Sequence, residues 1–383
     1  VPRTAFSFLG EWGASRYNKV RMAIIQSVKK TFEKHREHWL TVAFFFGFLL
    51  DNLTLNRVDQ IFDISILAFY VVLAMGSMLL LYAATADRLS EGFSRWAKKY
   101  TPLFAQYAFG GLFSGMLIFY GRSGSWYESW PYLLIILGVI FGNETIKDRT
   151  GRLIFTLAML FVGLFSYVVL IVPVFIGKMG AMVFVGSGIL ALVIMLIFMR
   201  ILRMIIPNFF SLHQRAIIFT IGIIFALFNF LYFTNIIPPI PLSLKDVGIY
   251  HSVIRFGDGT YQLTYEDTKW WEFFRNSDTT FHYTPGSNVY CFASVFAPTR
   301  LSTDIYHSWD KYNDATGEWV EYSRLSYPIS GGRGAGFRGY TFIKNSQPGT
   351  WRCQVETARG QVLGAEKFVI EPGVPGELVT RTE

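Results

Sequence analysis

The sequence predicts an α-helical transmembrane bundle of about seven spans followed by an all-β sandwich, and three observations carry that expectation. Apolar runs of about 18 residues or more, the length that matches the hydrocarbon thickness of a bilayer, recur along the chain as far as Ile237. The composition, 52% hydrophobic and 17% aromatic over 383 residues, exceeds what one soluble core absorbs. Beyond Pro238, Pro239 and Pro241 the long runs give way to short alternating ones, which marks a boundary between two kinds of structure.

The charge follows the same boundary. Of the net +8, residues 1–237 hold 21 Lys+Arg against 11 Asp+Glu, whereas residues 238–383 hold 14 against 16. The basic surplus belongs to the helical half, where basic cytoplasmic loops account for it. The β-rich half has no basic stripe, which argues against a nucleic-acid partner.

Residues 1–38 form a basic segment in which Val20, Ile24, Val28 and Phe32 recur every fourth residue, the spacing of one helical face. Lys29 and Lys30, with Arg16, Lys19, Arg21, Lys34 and Arg36, suit a helix lying on an anionic bilayer surface. A solvated helix packing on the protein's own cytoplasmic loops fits the pattern equally well. No charged, apolar and small-residue cleavage pattern opens the sequence, so the first span is expected to direct insertion.

The predicted spans within 39–237 are Trp39 to Leu50, extendable to Leu55; Ile61 to Thr85; Pro102 to Tyr120; Trp130 to Ile146; Leu153 to Ile176; Ala181 to Ile201; and Ala216 to Ile236. Asp51 interrupts the first, and Asn143 with Glu144 ends the fourth after a short run. Lys and Arg in alternate connections divide 18 to 3, the smaller set being Arg57, Arg122 and Lys178. Cytoplasmic loops retain positive charge, so the N-terminus is expected in the cytoplasm and everything after Pro238 outside it. Tyr127, Trp130 and Tyr132 on one side, with Trp39, Trp96 and Tyr100 on the other, suit interfacial aromatic belts. Gly111 with Gly115, and Gly138 with Gly142, give two small-xxx-small spacings that bring helices close, inside the bundle or against another subunit. Asp51, Asp63 and Glu144 fall near span ends, which leaves Gln106 and Asn229 as the main internal polar groups and little support for ion coupling.

Residues 238–284 read as linker and the start of the β-rich region, and 285–383 as sandwich and C-terminal tail. Strands are predicted at Gly248 to Phe256, Tyr261 to Tyr265, Val289 to Phe296, Ile305 to Lys311, Trp319 to Leu325, Tyr340 to Lys344, Trp351 to Thr357 and Gln361 to Ile370. Gly360 stands between the last two, where a tight hairpin requires it. So many short strands in one stretch suggest two packed sheets. Both cysteines lie in this half. Cys291 shares a strand face with Val289, Ala293 and Val295, and Cys353 with Trp351 and Val355, so both are expected in a core, bridged across the sheets or held as buried thiols.

Cys291, Trp309 and Cys353 resemble in spacing the Cys, Trp, Cys pattern of an immunoglobulin-like sandwich. His307-Ser308-Trp309, the loop from Gly331 to Gly339, and Pro348-Gly349-Thr350-Trp351-Arg352 running into Gly360-Gln361-Val362-Leu363-Gly364 are more specific. They resemble the C-terminal immunoglobulin-like domain of unknown function found behind transmembrane helices in bacterial proteins. The resemblance covers roughly residues 285 to 372. It implies a bacterial envelope protein, anchored in the inner membrane with its C-terminal domain periplasmic, and transfers no catalytic residue.

Motifs that carry chemistry are sparse. Gly334-Ala335-Gly336-Phe337-Arg338-Gly339 matches a dinucleotide-binding glycine pattern, but β patterns flank it where a strand and a helix are required. The six histidines (His35, His38, His213, His251, His282 and His307) all fall outside the predicted spans, so neither a haem nor a pigment at membrane depth is expected, and no cofactor or metal is assigned. Three of them, His251, His282 and His307, have the option of converging in the β half, though scattered surface positions are the plainer expectation. The carboxylates Asp304, Asp310, Asp314, Glu318 and Glu321 read as a solvated face.

These features point to a non-enzymatic membrane anchor or accessory scaffold subunit, in the lipid bilayer and docked to a membrane-protein partner in a larger complex, with photosynthetic and respiratory complexes as candidate hosts. The expected contact cluster is Trp270, Trp271, Phe273, Phe274 and Arg275, whose alternative role is packing between linker and sandwich. A transporter or channel component, and an envelope enzyme acting on lipid or glycan, are the two competing readings.

Overall fold

The structure is a computed structural model that describes residues 51, 53–55, 57–124, 130–138, 149–267, 277–344 and 346–383. The chain divides into two compact units, Val1–Leu53 and Thr54–Glu383, and the helices and strands described below all belong to the second. Val20, Ile24, Val28, Lys29, Lys30 and Phe32 lie outside the described residues, as do the predicted span Trp39 to Leu50, Gly142, and the cluster Trp270, Trp271, Phe273, Phe274 and Arg275.

The long helices are α1 (Ile61–Thr85), α2 (Glu91–Arg122), α3 (Arg149–Ile176), α4 (Ala181–Ile205) and α5 (Pro207–Phe233). Among the described residues these five are long and apolar enough to cross a membrane. A helix rising about 1.5 Å per residue needs roughly 20 residues to do so. Against the seven expected, the first predicted span lies outside the described residues, and residues 130–138 of the fourth are helical. The outer helix faces are apolar, with Phe69, Val72, Leu190, Ile197, Phe219 and Phe230 all exposed, an arrangement that suits a lipid environment.

Inside the bundle, α3 is the most enclosed helix. Glycines set the close approaches. A Cβ added at Gly111 would strike the Tyr70 ring, and one at Gly115 would lie 2.6 Å from Leu67, so this pair brings α2 onto α1. Gly138 faces open space. Tyr132, on the 130–138 segment, packs on Tyr120 of α2 with 4.8 Å between ring centroids, and its hydroxyl bonds Ser166 Oγ of α3 at 3.0 Å.

The β region has eleven strands: β1 (Ser243–Tyr250), β2 (Ser252–Arg255), β3 (Tyr261–Glu266), β4 (Thr280–Tyr283), β5 (Asn288–Phe296), β6 (Ser302–Asn313), β7 (Glu318–Ser330), β8 (Phe337–Lys344), β9 (Gly349–Thr357), β10 (Val362–Pro372) and β11 (Leu378–Thr382). They form three sheets, ordered β1-β5-β8, β4-β10-β9-β6-β7 and β11-β3-β2. The expectation of two sheets is therefore corrected by one. β5 explains why. Its Cys291, Ala293 and Val295 face the five-stranded sheet, while Phe292 packs with Tyr250, Val253, Tyr261 and Leu263 against the third sheet. A strand covered on both faces needs a layer on each. The expected single strand Gly248 to Phe256 is split at His251, because β1 pairs with β5 and β2 with β3.

The main core lies between the first two sheets and contains Phe281, Val289, Trp309, Ile343, Trp351 and Phe368, all fully or nearly fully buried. Cys291 and Cys353 form a disulfide across these sheets, with Cα atoms 6.5 Å apart. Trp309 sits beside Cys353 in the β6–β9 ladder. Its indole N–H donates to Thr341 Oγ1 at 3.0 Å, His307 Nδ1 shares a hydrogen bond with the same oxygen at 3.0 Å, and His307 Nε2 shares one with the Tyr327 hydroxyl at 3.1 Å. Burial holds His307 neutral, with its pKa pushed down to about 3.

Two outcomes are expected of this core. Because the disulfide closes a loop of sequence separation 62, chain entropy assigns it roughly 4 kcal/mol. Replacing both cysteines by alanine is expected to lower the unfolding free energy of the β region by about that amount, read by denaturant unfolding followed through tryptophan fluorescence. The second concerns His307. Its neutral form is favoured by folding, so its contribution to stability is complete above the ordinary histidine pKa near 6.5 and is lost as pH falls from there toward 3. His307→Gln should flatten the fall in stability between pH 6.5 and 5 by roughly 1 kcal/mol per pH unit relative to the parent chain. An unchanged slope would show that His307 takes up its proton in the folded state.

Candidate functional site

The first feature of interest is where the helix ends meet the β region. Pro238, Pro239, Ile240 and Pro241 are buried and lead directly from α5 into β1, so the boundary is a packed joint and not a free linker. Helix C-termini leave carbonyls without intrahelical donors. At the end of α5 the backbone N–H groups of Thr234, Asn235 and Ile236 cap Phe230, Tyr232 and Leu231, and Arg359 adds a second donor to Tyr232 O, its Nη2 lying 3.4 Å away while its guanidinium lies 4.2 Å from the Tyr232 ring. A cation at a helix C-terminus also opposes the helix dipole favourably. Asn235, in the left-handed region at φ 60°, donates from Nδ2 to Arg359 O at 3.1 Å, and Gln361 Nε2 donates to Ile237 O at 3.1 Å.

A second tie lies at the start of α1. Arg57 holds Asp59 through Nε and Nη2 at 3.0 and 2.9 Å, and Thr299 of the β region donates to the same carboxylate at 3.1 Å. The Arg57 guanidinium also lies 5.1 Å from the Phe296 ring. Arg122, closing α2, donates to Leu55 O at 2.8 Å. At the α3–α4 turn, Gly177 has φ +72° and a Cβ there would come within 2.6 Å of Arg300 O. Met179 packs into the β core. One end each of α1, α2, α3, α4 and α5 thus abuts the β region or the Leu55–Asp59 segment joined to it. Arg57, Arg122 and Lys178 belong to these near ends, and Arg88, Arg95, Lys98, Arg200, Arg203 and Arg215 to the far ones.

A histidine–carboxylate cluster occupies the opposite side of the first sheet's corner. His251 stands where the chain leaves β1 for β2, stacked on Phe281 at 4.0 Å. Its Nε2 is 3.0 Å from Glu266 Oε1 and 3.6 Å from Asp278 Oδ2. Glu266, ending β3, accepts from the backbone N–H of His282 at 3.0 Å, from His282 Nδ1 at 2.7 Å and from Gly376 N–H at 3.2 Å. Its own N–H donates to Asp278 Oδ1 at 2.7 Å. Burial raises Asp278 to about 8; for Glu266 burial acts upward but the hydrogen bonds from His282, Gly376 and His251 outweigh it and hold the group low. Burial also lowers His251, against the hydrogen bond to Glu266. His251, Glu266 and Asp278 each offer one ligand atom, all within 4.8 Å of one another. Cys291, His307 and Cys353 are also close, but both sulfurs are committed to the disulfide.

The third feature is the outer face of the five-stranded sheet. Arg352 lies 4.5 Å and Lys367 5.7 Å from the Trp319 ring, and Arg324 lies 4.4 Å from Tyr306. Arg352 pairs with Asp310 at 2.8 Å and Arg324 with Glu356 at 2.6 Å. Beside them, edge strand β7 leaves Val320 and Tyr322 half exposed.

Of the residues singled out from sequence, Gly111 and Gly115 are engaged within the bundle, and Cys291 and Cys353 are joined. The Gly334 to Gly339 motif lies between β7 and β8 and runs into β8, between strands as its flanks require. Convergence of the β-half histidines was the less favoured of two readings of the sequence; the structure brings His251 and His282 together on Glu266 and leaves His307 apart in the core. Glu266 itself had no signal, since it lies 15 and 16 positions from these histidines with no motif spacing.

Comparison with known proteins adds a family for part of the chain. Residues 302–370 match the family described as Protein of unknown function (DUF2914). No curated protein matches. Among solved structures, a β-glucosidase from Listeria innocua in complex with gluconolactone is similar at 9% identity and a TM-score of 0.18, over 30% of this chain. The chain spans only 16% of that enzyme's length. The Pseudomonas fluorescens alkylpurine DNA glycosylase AlkC bound to DNA containing an abasic site analog is similar at 12% identity and a TM-score of 0.22, over 80% of this chain and 82% of that one. The matched stretch runs from β6 to β10 and leaves the apolar helices outside it.

Proposed function

We propose that this chain is a non-enzymatic integral membrane anchor, an accessory subunit of a larger membrane complex whose helices sit in the bilayer and whose β region docks a membrane-protein partner outside the cytoplasm. In this reading it belongs to a bacterial inner membrane, the N-terminal segment is cytoplasmic, the fourth hydrophobic segment completes a crossing between α2 and α3, and the sandwich is immunoglobulin-like and periplasmic.

The observation that carries the reading is the division of basic residues between helix ends. Arg88, Arg95, Lys98, Arg200, Arg203 and Arg215 belong to the ends away from the β region, and only Arg57, Arg122 and Lys178 to those against it. Of the last three, Arg57 and Arg122 are engaged in hydrogen bonds to the protein itself. Retained positive charge marks the cytoplasmic side, so the β region faces away from it. A packed joint at this interface suits a part that holds a surface at fixed height. The surface best suited to a partner is the outer face of β6, β7 and β9, where Trp319, Tyr306, Arg324 and Arg352 combine the side chains that dominate interface energetics beside an open strand edge.

Two measurements test this. In spheroplasts, a cysteine at Thr316, in the β6–β7 turn, should react with a membrane-impermeant maleimide, and one at Asp87, in the α1–α2 turn, only after the membrane is opened; the reverse pattern inverts the orientation. After gentle-detergent extraction the parent chain should migrate with a partner protein, and Trp319→Ala should release that partner by at least tenfold while thermal unfolding stays within a few degrees of the parent. Purification of the parent as a lone monomer would remove the docking role.

A further inference from the structure

We propose that His251, Glu266 and Asp278 bind one divalent transition-metal ion of the zinc class, with His282 holding Glu266 in position, and that the ion staples the third sheet to the sandwich. The spacing of the donor atoms is the first support. Around an ion with bonds of about 2.0–2.2 Å in tetrahedral geometry, neighbouring ligand atoms stand roughly 3.3–3.6 Å apart. Here His251 Nε2 lies 3.6 Å from Asp278 Oδ2, within that range, and 3.0 Å from Glu266 Oε1, a hydrogen-bond contact that would lengthen by a few tenths of an ångström around an ion; all three donor atoms lie within 4.8 Å of one another.

The second support is independent of spacing. Asp278 Oδ2 is buried and has no hydrogen-bond partner, although its side chain is only 1% exposed and its other oxygen receives the Glu266 N–H. A buried carboxylate oxygen with no donor calls for a cation. It points toward His251 and Glu266, whose side chains are themselves 8% and 12% exposed, so the three donors converge on a space screened from bulk water.

The donor chemistry narrows the ion. With the Asp278 proton displaced on binding, two carboxylates and a neutral imidazole would offer a charge of about −2 for a divalent ion to balance, and an imidazole nitrogen disfavours calcium and magnesium, which take oxygen ligands. His282 donates from Nδ1 to Glu266 Oε2, the oxygen that does not face His251 and that also accepts the Gly376 N–H, as the orienting partners of metal ligands do. The elements brought together give the ion its role. His251 joins β1 to β2, Glu266 ends β3, Asp278 precedes β4, and Gly376 N–H, on the approach to β11, bonds the same glutamate. One ion there would tie the third sheet to the edge strand of the five-stranded sheet.

The test uses the untagged full chain in detergent, stripped with a chelator and titrated with Zn2+ against a competing chromophoric chelator. One ion per chain is expected. Asp278→Asn and His251→Gln should each weaken binding by more than about tenfold, while His282→Gln weakens it by about tenfold. The surface control Asp314→Asn should match the parent. No stoichiometric uptake by the parent, or one affinity across all four variants, overturns the proposal. Should Asp278→Asn or His251→Gln not fold, Co2+ loaded into the parent decides: visible ligand-field absorption abolished by one equivalent of Zn2+ supports the site, and its absence overturns it.

Discussion

The hydrogen bonds between the end of α5 and the β9–β10 turn are the constraint on which the rest of the molecule depends. Arg359, Asn235 and Gln361 exchange bonds across the joint at Tyr232, Arg359 and Ile237, all at backbone carbonyls. Two of these carbonyls, those of Tyr232 and Ile237, lie at or just past the end of a helix; Tyr232 O also accepts the Asn235 backbone N–H at 3.1 Å, so Arg359 adds a second donor there, while Gln361 supplies a donor to Ile237 O. The bonds are local in space but join residues more than 120 positions apart, so the joint forms only when helices and sandwich are both in place. With α5 fixed, the short buried stretch to β1 has no slack. The Asp59–Thr299 contact and the close approach of Gly177 to Arg300 then secure α1 and the α3–α4 turn against the same surface.

A joint of this kind gives meaning to the exposed apolar faces of the helices. In water such faces would drive association, whereas in a bilayer they cost nothing, and the β region is then held at the membrane surface. In the proposed reading, the asymmetry of charge between the two sets of helix ends gives that arrangement a direction. The sandwich adds its own rigidity through a cross-sheet disulfide beside Trp309 and through the buried Tyr327–His307–Thr341 chain of hydrogen bonds, whose histidine burial holds neutral.

Much of this was legible in the sequence, for identifiable reasons. Long apolar runs have one solution in lipid, so α1 to α5 could be read by length alone. Gly111 and Gly115 announced a close helix contact, though not that Tyr70 and Leu67 would be the neighbours. Cys291 and Cys353 each lie on the alternating face of a strand that reads clearly. The residues of β2 and β3 were read as strands, but the edge strands β4 and β11 were not, because Thr280–Tyr283 has four residues and Leu378–Thr382 five, three of them polar, and without β11 the third sheet was not recognised. Their pairing, β4 parallel to β10 and β11 antiparallel to β3, is set by distant partners. The histidine–carboxylate cluster was hidden for the same reason: His251, Glu266, Asp278 and His282 meet only once β1 has turned into β2 and β4 has reached β10.

The central claim is that helices and sandwich form a single rigid body, and the most direct measurement is the distance between them in a bilayer. Spin labels on cysteines introduced at Ile218, on the lipid-facing side of α5, and at Asp314, in the β6–β7 turn, report it by pulsed electron paramagnetic resonance in nanodiscs. A rigid joint predicts one narrow distance distribution in the parent chain and a broad one in Arg359→Ala. A broad or multiple distribution in the parent itself would contradict it.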